Sequence, residues 1–321
     1  MLKKLQSKLG EVKENEPLAG FTTFKIGGPA KYFFVAKNSE ELLNAVIAAE
    51  ELKISYFILG WGSNLLVSDQ GFEGLVIKNT SSNFEIKDDE ITADSGLNLS
   101  RLVGASSQAG LTGLETLAGI PGTVGGAAFG NAGAYGVSLG RLVKEVKVYQ
   151  NKQVKNFSQA DMKYEYRESE LKKNPGVILS VTVKLAKASQ KEIQEKMIGI
   201  IKERNQKLPL EPSAGCVFKN IKLDQTKLDE KKIIKGLDVS QDDWQKATAH
   251  GKLSSAFIID HLGLKGKKIG GCQISERHAA FFINIGEAKA EHVMMLISDV
   301  KMHARNQLGI QLQEEIRYLG F

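Results

Sequence analysis

Residues 113–136 read GLETLAGIPGTVGGAAFGNAGAYG, and eight of these twenty-four residues are glycine. Neither helical nor strand periodicity runs through the stretch. Glycine reaches backbone angles that other residues avoid, and it lets main-chain N–H groups approach a ligand closely. N–H groups gathered in this way form concave sites for anions, phosphates above all. Leu114, Leu117, Ile120, Val124 and Phe129 interleave the glycines and would anchor the segment in a core, unlike a slack connection. The stretch is expected to form a wall of a phosphate-bearing cofactor site.

The flanking chain has ordinary periodicities. A helical spacing of Leu2, Leu5, Leu9 and Val12 opens the sequence, followed by a turn at Gly27–Pro29 and a strand. Residues 41–52 read as a helix, 54–60 and 75–79 as strands, 84–93 as a hairpin around Asp88–Asp89, and 99–109 as a helix. Beyond the glycine-rich stretch come a hairpin over 145–157 turning at Asn151–Lys152, a strand at 177–185 and a helix at 190–206. Pro209 and Pro212 mark a boundary. Residues 221–252 are rich in Lys and Asp, weakly patterned, and expected to be a solvated surface insertion. A helix at 253–262, a strand at 279–285, a helix at 289–307 and a strand at 311–319 complete an α+β chain. Its expected division is 1–80, then 81–206 joined by the last strand 309–321, then 207–308 carrying the insertion.

Composition narrows the function. The 43 basic and 37 acidic residues are spread along the chain, and the Lys runs at 231–235 and 265–268 lack interleaved aromatics, so no nucleic-acid partner is expected. Two cysteines with no CxxC or Cys/His cluster fit a reducing compartment and give no metal site. The N-terminal residues lack the apolar core of a signal peptide, and no apolar run is long enough to span a membrane, so a cytoplasmic protein is expected.

Four further motifs have dull explanations when taken singly. Gly60-Trp61-Gly62-Ser63-Asn64 follows a strand but lacks the third glycine of a dinucleotide fingerprint; with 113–136 it could grip a pyrophosphate. Arg167 is one of only seven arginines, and its planar fork suits a carboxylate. Cys216 in SAGCVFKN and Glu314-Glu315-Ile316-Arg317 would ordinarily be a buried thiol and a solvated strand, with Glu315 and Arg317 on one face.

Taken together and in order, TTFKIGGPA, LGWGSNLLVSDQGFEGLVI, GLTGLETLAGIPGTVGGAAFGNAGAYG, YRES, SAGCVFKN, GLKGKKIGGCQISERHA and LQEEIRYLG closely resemble the UDP-N-acetylenolpyruvoylglucosamine reductases, flavoenzymes of peptidoglycan precursor synthesis. The likeness runs from about Phe21 to Gly320. It implies an FAD-binding part of the PCMH/vanillyl-alcohol-oxidase type with two subdomains, and an α+β substrate-binding domain. It also implies non-covalent FAD, NADPH as reductant, small-molecule substrates and a monomer. Carried over by motif, Arg167, Cys216 and Glu315 fall on the catalytic positions. Gly60, Gly62, Ser63, Asn64, Leu65, Ile120, Pro121, Gly122, Gly125, Gly126, Gly133, Arg204 and Arg317 fall on cofactor positions. Tyr135, Lys207 and Asn220 fall on substrate positions.

Those residue types suit the implied chemistry. Hydride added to C3 of the enolpyruvyl group builds charge at C2 and its carboxylate, which Arg167 and a protonated Glu315 would stabilise. Cys216 would deliver the proton to C2. The family usually has serine at that position; an unperturbed thiol, with a pKa of about 8.5, is a stronger acid than an alcohol and is open to oxidation. The 167–204 segment has room for one strand and one helix, which resembles the shorter class without a tyrosine-bearing loop. Two other readings differ in outcome: an FAD oxidoreductase acting on a hydroxy acid or alcohol, and a binding module that has lost catalysis.

Overall fold

The computed structural model describes residues 1–226 and 228–321; Lys227, within the 221–252 stretch, lies outside the described residues. The chain forms two compact units. One comprises Met1–Glu16, Ala30–Trp61 and Phe72–Gln206, and the other Pro17–Pro29, Gly62–Gly71 and Lys207–Phe321.

The first unit contains two sheets. Strands Lys13–Pro17, Pro29–Ala36, Phe72–Asn79 and Tyr56–Leu59 lie in that order, with the last three parallel. Period-2 alternation sends Tyr32, Phe34 and Ala36 to one face, where helices Leu2–Leu9 and Ser39–Glu51 bury Leu5, Leu42, Ala45 and Val46 against Leu75 and Ile77. The second helix starts at Asn38, whose side chain accepts from Glu41 N–H at 2.8 Å while Glu41 accepts from Lys37 N–H at 2.8 Å.

The second sheet is antiparallel, in the order Gln153–Ser158, Val143–Gln150, Val177–Lys184, Glu90–Asp94, Phe84–Lys87. Both of its hairpins turn over two residues. At Asn151 and Lys152 φ is +52° and +62°, the mirror-image turn that matches strand twist. Ile91, Val146, Val148, Val181 and Val183 form a core with helix Leu99–Gln108 and with Leu114, Leu117, Val124, Ala127 and Ala128. The glycine-rich stretch therefore does contain a helix, Val124–Gly130, although no periodicity announced it. Its buried face is made of small residues, and Asn131, in the left-handed region at φ +45°, ends it.

The second unit is built on an antiparallel sheet, Ser213–Cys216, Phe281–Asn284, Cys272–Ile274, Lys268–Ile269, covered by helix Ala290–His303. That helix is followed by a π-turn, Ala304–Leu308, so the expected single helix 289–307 changes character near its end. Asp69 caps its start, accepting from Ala290 N–H at 2.9 Å and Glu291 N–H at 3.1 Å. Of the strand expected over 311–319, only Arg317–Leu319 is regular, paired in parallel with Leu65–Val67.

The 221–252 stretch is not a solvated excursion. Helices Glu230–Leu237 and Gln241–Thr248, capped by Asp229 and Ser240, drive Ile233, Leu237 and Trp244 into the core of this unit. Each helix is only eight residues long, so a few buried side chains decide its placement while lysines and aspartates fill the outer face.

Candidate active site

In the first unit, strand Tyr56–Leu59 runs out into Gly60, where a side chain would collide: a Cβ would lie 2.7 Å from Thr123 Oγ1. The Lys78 amine donates to the Gly60 carbonyl. Thr123 is also the N-cap of helix Val124–Gly130, accepting from Gly126 N–H at 3.2 Å. Leu99 N–H donates to Gly122 O at 3.0 Å, Val124 N–H to Leu97 O at 2.8 Å and Gly125 N–H to Ser95 O at 2.8 Å. A Cβ on Gly125 would come within 2.7 Å of Ser95 Cβ, so glycine permits this close approach. Gly122 has φ +148°, open only to glycine. Thr123 thus draws Gly60, Gly122, Gly125 and Gly126 together.

The backbone N–H groups of Trp61, Gly122 and Thr123 have no hydrogen-bond partner among the described residues. Unpartnered N–H donors gathered beside close-packed glycines fit the diphosphate of a dinucleotide. Ile120 and Pro121 lie between this cradle and Gly119. Arg204 lies against Gly119, where a Cβ would be 3.3 Å from Arg204 Nε.

Arg167 is placed by the far end of the same helix. Asn131 Nδ2 donates to Glu165 O at 2.6 Å, and Asn131 Oδ1 accepts from Gly140 N–H at 2.9 Å. Ser169 Oγ donates to Phe129 O at 2.7 Å, and Arg167 Nη1 donates to Gly133 O at 3.1 Å. The guanidinium also lies over the Tyr166 ring, 5.3 Å from its centroid. Arg167 itself has φ +58°, an unusual conformation for a residue with a Cβ, held by these surroundings. Gly133 is therefore engaged with Arg167. Tyr135, at φ +51°, occupies the exposed turn between the short strands Gly133–Ala134 and Val137–Ser138.

In the second unit, Gly62 has φ +62° and packs on Phe21 and Thr22. Thr23 Oγ1 donates to Ser213 O at 2.7 Å, tying the TTFK motif to the strand that ends at Cys216. Val217 N–H donates to Ala280 O at 2.8 Å, and Glu315 N–H donates to Val217 O at 2.7 Å. Asn64 bridges onward: its Nδ2 donates to Glu315 O at 3.1 Å, and its carbonyl accepts from Arg317 N–H at 3.0 Å. Leu65 is the strand partner of Arg317. Ser63 precedes this row.

Segments 63–65, 216–217 and 315–317 therefore run side by side, with Glu315 paired to Val217, the residue after Cys216. Glu314, by contrast, is ion-paired with Lys301 at 2.8 Å. Asn220 Oδ1 accepts from Ser255 N–H at 3.1 Å at the start of helix Ser255–His261, and Lys207 ends helix Gln190–Lys207. The second thiol, Cys272, is fully buried, and burial pushes it from 9.0 up to about 12, so it stays protonated and unreactive.

Sequence reasoning did not single out Lys78, Thr123, Asn131 or Ser169. Thr123 and Asn131 could have been found from the short helix they bracket, as an N-cap hydroxyl and a left-handed C-terminal stop. Lys78 carries no local signal, and Ser169 is marked only as the last residue of YRES.

Over 311 residues, spanning 96% of this chain and 97% of the relative, the sequence is 34% identical to a UDP-N-acetylenolpyruvoylglucosamine reductase of Solibacter usitatus. The chain belongs to the UDP-N-acetylenolpyruvoylglucosamine reductase family. It is 36% identical to the reductase of Anoxybacillus flavithermus over 321 residues, covering 98% of this chain and 97% of that one. Residues 206–319 match the family's C-terminal domain, and residues 30–152 match an FAD binding domain. The solved UDP-N-acetylenolpyruvylglucosamine reductase of Thermus caldophilus superposes with a TM-score of 0.74 at 29% identity, covering 96% of this chain and 98% of that one.

The protein is an FAD-dependent oxidoreductase of this reductase family, with the α+β fold. Gly60, Lys78 and the 119–126 loop fall inside the FAD-binding match, and Cys216, Glu315 and Arg317 inside the C-terminal match. Between Arg167 and Arg204 the structure has the four-residue helix Glu170–Lys173, strand Val177–Lys184, the two-residue strand Ala186–Lys187 and most of helix Gln190–Lys207. Among the described residues, no helix is long and apolar enough to cross a membrane, and no group of three His, Cys, Asp or Glu could hold a metal ion.

Proposed function

We propose that this reductase converts UDP-N-acetylglucosamine enolpyruvate to UDP-N-acetylmuramate with NADPH as the electron source. The observation that supports the assignment most directly is the Glu315 N–H bond to Val217 O, which sets the carboxyl-bearing residue beside the residue that follows Cys216. When bound, FAD would supply the hydride chemistry between the nicotinamide and C3 of the enolpyruvyl group. Arg167, oriented by Gly133 and Tyr166, stabilises negative charge on the substrate's carboxylate and C2, and Glu315 shares that task. The Cys216 thiol protonates C2, and the resulting thiolate recovers its proton from solvent.

The cradle of Gly60, Ile120, Pro121, Gly122, Gly125 and Gly126 holds the diphosphate and ribityl chain, with Gly62, Ser63, Asn64, Leu65, Gly133, Arg204 and Arg317 as further cofactor residues. Tyr135, Lys207 and Asn220 serve the nucleotide-sugar. In this reading 1–80 and 81–206, with 309–321, make up the FAD-binding part, and 207–308 the substrate-binding part. The enzyme works as a cytoplasmic monomer with no nucleic-acid partner.

Cys216→Ala tests the assignment by stopped-flow spectroscopy. NADPH should bleach the flavin at the wild-type rate, while reoxidation by substrate should slow about 100-fold or more, the usual contribution of a positioned proton donor. Reoxidation at the wild-type rate would remove Cys216 from the mechanism. NADPH oxidation that did not require the enolpyruvyl nucleotide would favour an oxidoreductase of the same fold with another substrate.

A further inference from the structure

Lys78 lies on the parallel strand Phe72–Asn79, directly across from Leu59, and its amine reaches one residue further to the Gly60 carbonyl. A trans peptide is planar, with its C=O and N–H pointing in opposite directions. An amine holding the Gly60 oxygen therefore turns the N–H of Trp61 the other way. That N–H has no hydrogen-bond partner among the described residues, and the Trp61 side chain beside it is 47% exposed. The lysine fixes the direction of one free donor in the first glycine turn.

The charge points to the same ligand. Lys78 forms no ion pair among the described residues, and burial alone lowers its pKa. Lys31 and Lys144 of the same unit, paired with Glu73 and Glu90, are exposed. A half-buried ammonium held only by a carbonyl dipole lacks a counter-charge, and an anion bound at the adjacent N–H groups would supply one.

We infer that Lys78 is a positioning residue for the FAD diphosphate, orienting the Gly60–Trp61 peptide and adding positive charge beneath it. This rests on the reading that the Gly60 turn and the 119–126 loop hold that diphosphate.

The test compares wild-type holoenzyme with Lys78→Met and Lys78→Arg, following FAD release on dilution by the rise in flavin fluorescence. Lys78→Met should weaken FAD binding about 10- to 100-fold, the range expected for a lost hydrogen bond to a charged group. Lys78→Arg, which keeps the charge and the donor, should recover most of that loss. Flavin-depleted Lys78→Met should melt no lower than flavin-depleted wild type, because it no longer holds an uncompensated charge. FAD retention equal to wild type in Lys78→Met would overturn the inference. So would an equal drop in the melting temperatures of the flavin-depleted and flavin-bound forms, the sign of a merely structural role. If Lys78→Met does not fold, Lys78→Gln is judged by the same criteria. A yellow, substrate-dependent wild type with an unaffected Lys78→Met would refute the role of Lys78 alone, whereas a wild type without flavin would refute the site reading itself.

Discussion

Residues 113–136 and 221–252 both place short capped helices in irregular surroundings, yet they are held in place by opposite means. In 113–136 the chain comes close to its neighbours because side chains are missing: Gly125 lies on Ser95, Thr123 fills the space beside Gly60, and one buried carboxylate, Glu115, ties the turn before them. In 221–252 it is held because large side chains are present, with Ile233, Leu237 and Trp244 entering a core shared with helix Ala290–His303. The first arrangement leaves N–H donors without a partner among the described residues, and the second leaves lysines and aspartates on its outer face. Composition alone reports only the outer layer of each.

The largest effect that would break this contrast lies in the lysine-rich stretch. Trp244 is 3% exposed, and Trp244→Ala should cost about 3–5 kcal/mol in chemical denaturation, as for other buried large-to-small changes. A loss within the range of surface substitutions would return 221–252 to the status of a solvated excursion.

An intermediate effect is expected on the glycine-rich side. Glu115 is 2% exposed, accepts from Gly113 N–H at 2.9 Å and from Thr112 Oγ1, and lies 3.8 Å from Lys196. Burial pushes its carboxyl up, but these hydrogen bonds and the lysine charge together bring it below the usual range. Glu115→Ala should destabilise by about 1–3 kcal/mol, the cost of leaving partly buried donors unmet. Glu115→Gln should recover part of that in the same measurement. An unchanged midpoint in Glu115→Ala would mean that glycine packing alone holds the turn.

The smallest expected effect is a pH dependence in the second unit. The folded Cys272 value of about 12 lies above its ordinary 9.0, so its contribution is intact below pH 9 and is lost as pH rises toward 12. From pH 8 to pH 10 that loss amounts to about 1 kcal/mol by the linkage relation. Cys272→Ala should show a correspondingly flatter alkaline decline in denaturation midpoints measured at each pH. A decline as steep as wild type would assign the alkaline loss to other groups, Tyr149 and Tyr318 among them, since burial pushes both up to about 12.

Much of the fold was legible because its signals are local. Asn151–Lys152 and Asp88–Asp89 mark two-residue hairpins, alternation marks Val177–Lys184, and the helix at Ser39–Glu51 follows its Asn38 cap within two residues of the expected start. The motif order pointed to the family, and the glycine spacing pointed to a surface that side chains would fill. The 221–252 stretch was misread because each of its helices shows barely two turns of pattern under a charged exterior.

Local chemistry by itself thus determined where this chain turns and which glycines need freedom, and the order of its motifs pointed to the family. Only the tertiary structure decided which of them meet. It pairs Leu65–Val67 with Arg317–Leu319 across some 250 residues of sequence, sets Glu315 on Val217, and aims Arg167 through Asn131, Ser169 and Gly133. Each of these contacts is a hydrogen bond between groups that every chain possesses or that a lone polar residue provides. Such bonds have no sequence period, and they take shape only once the packed cores have brought distant segments within 3 Å or so of one another.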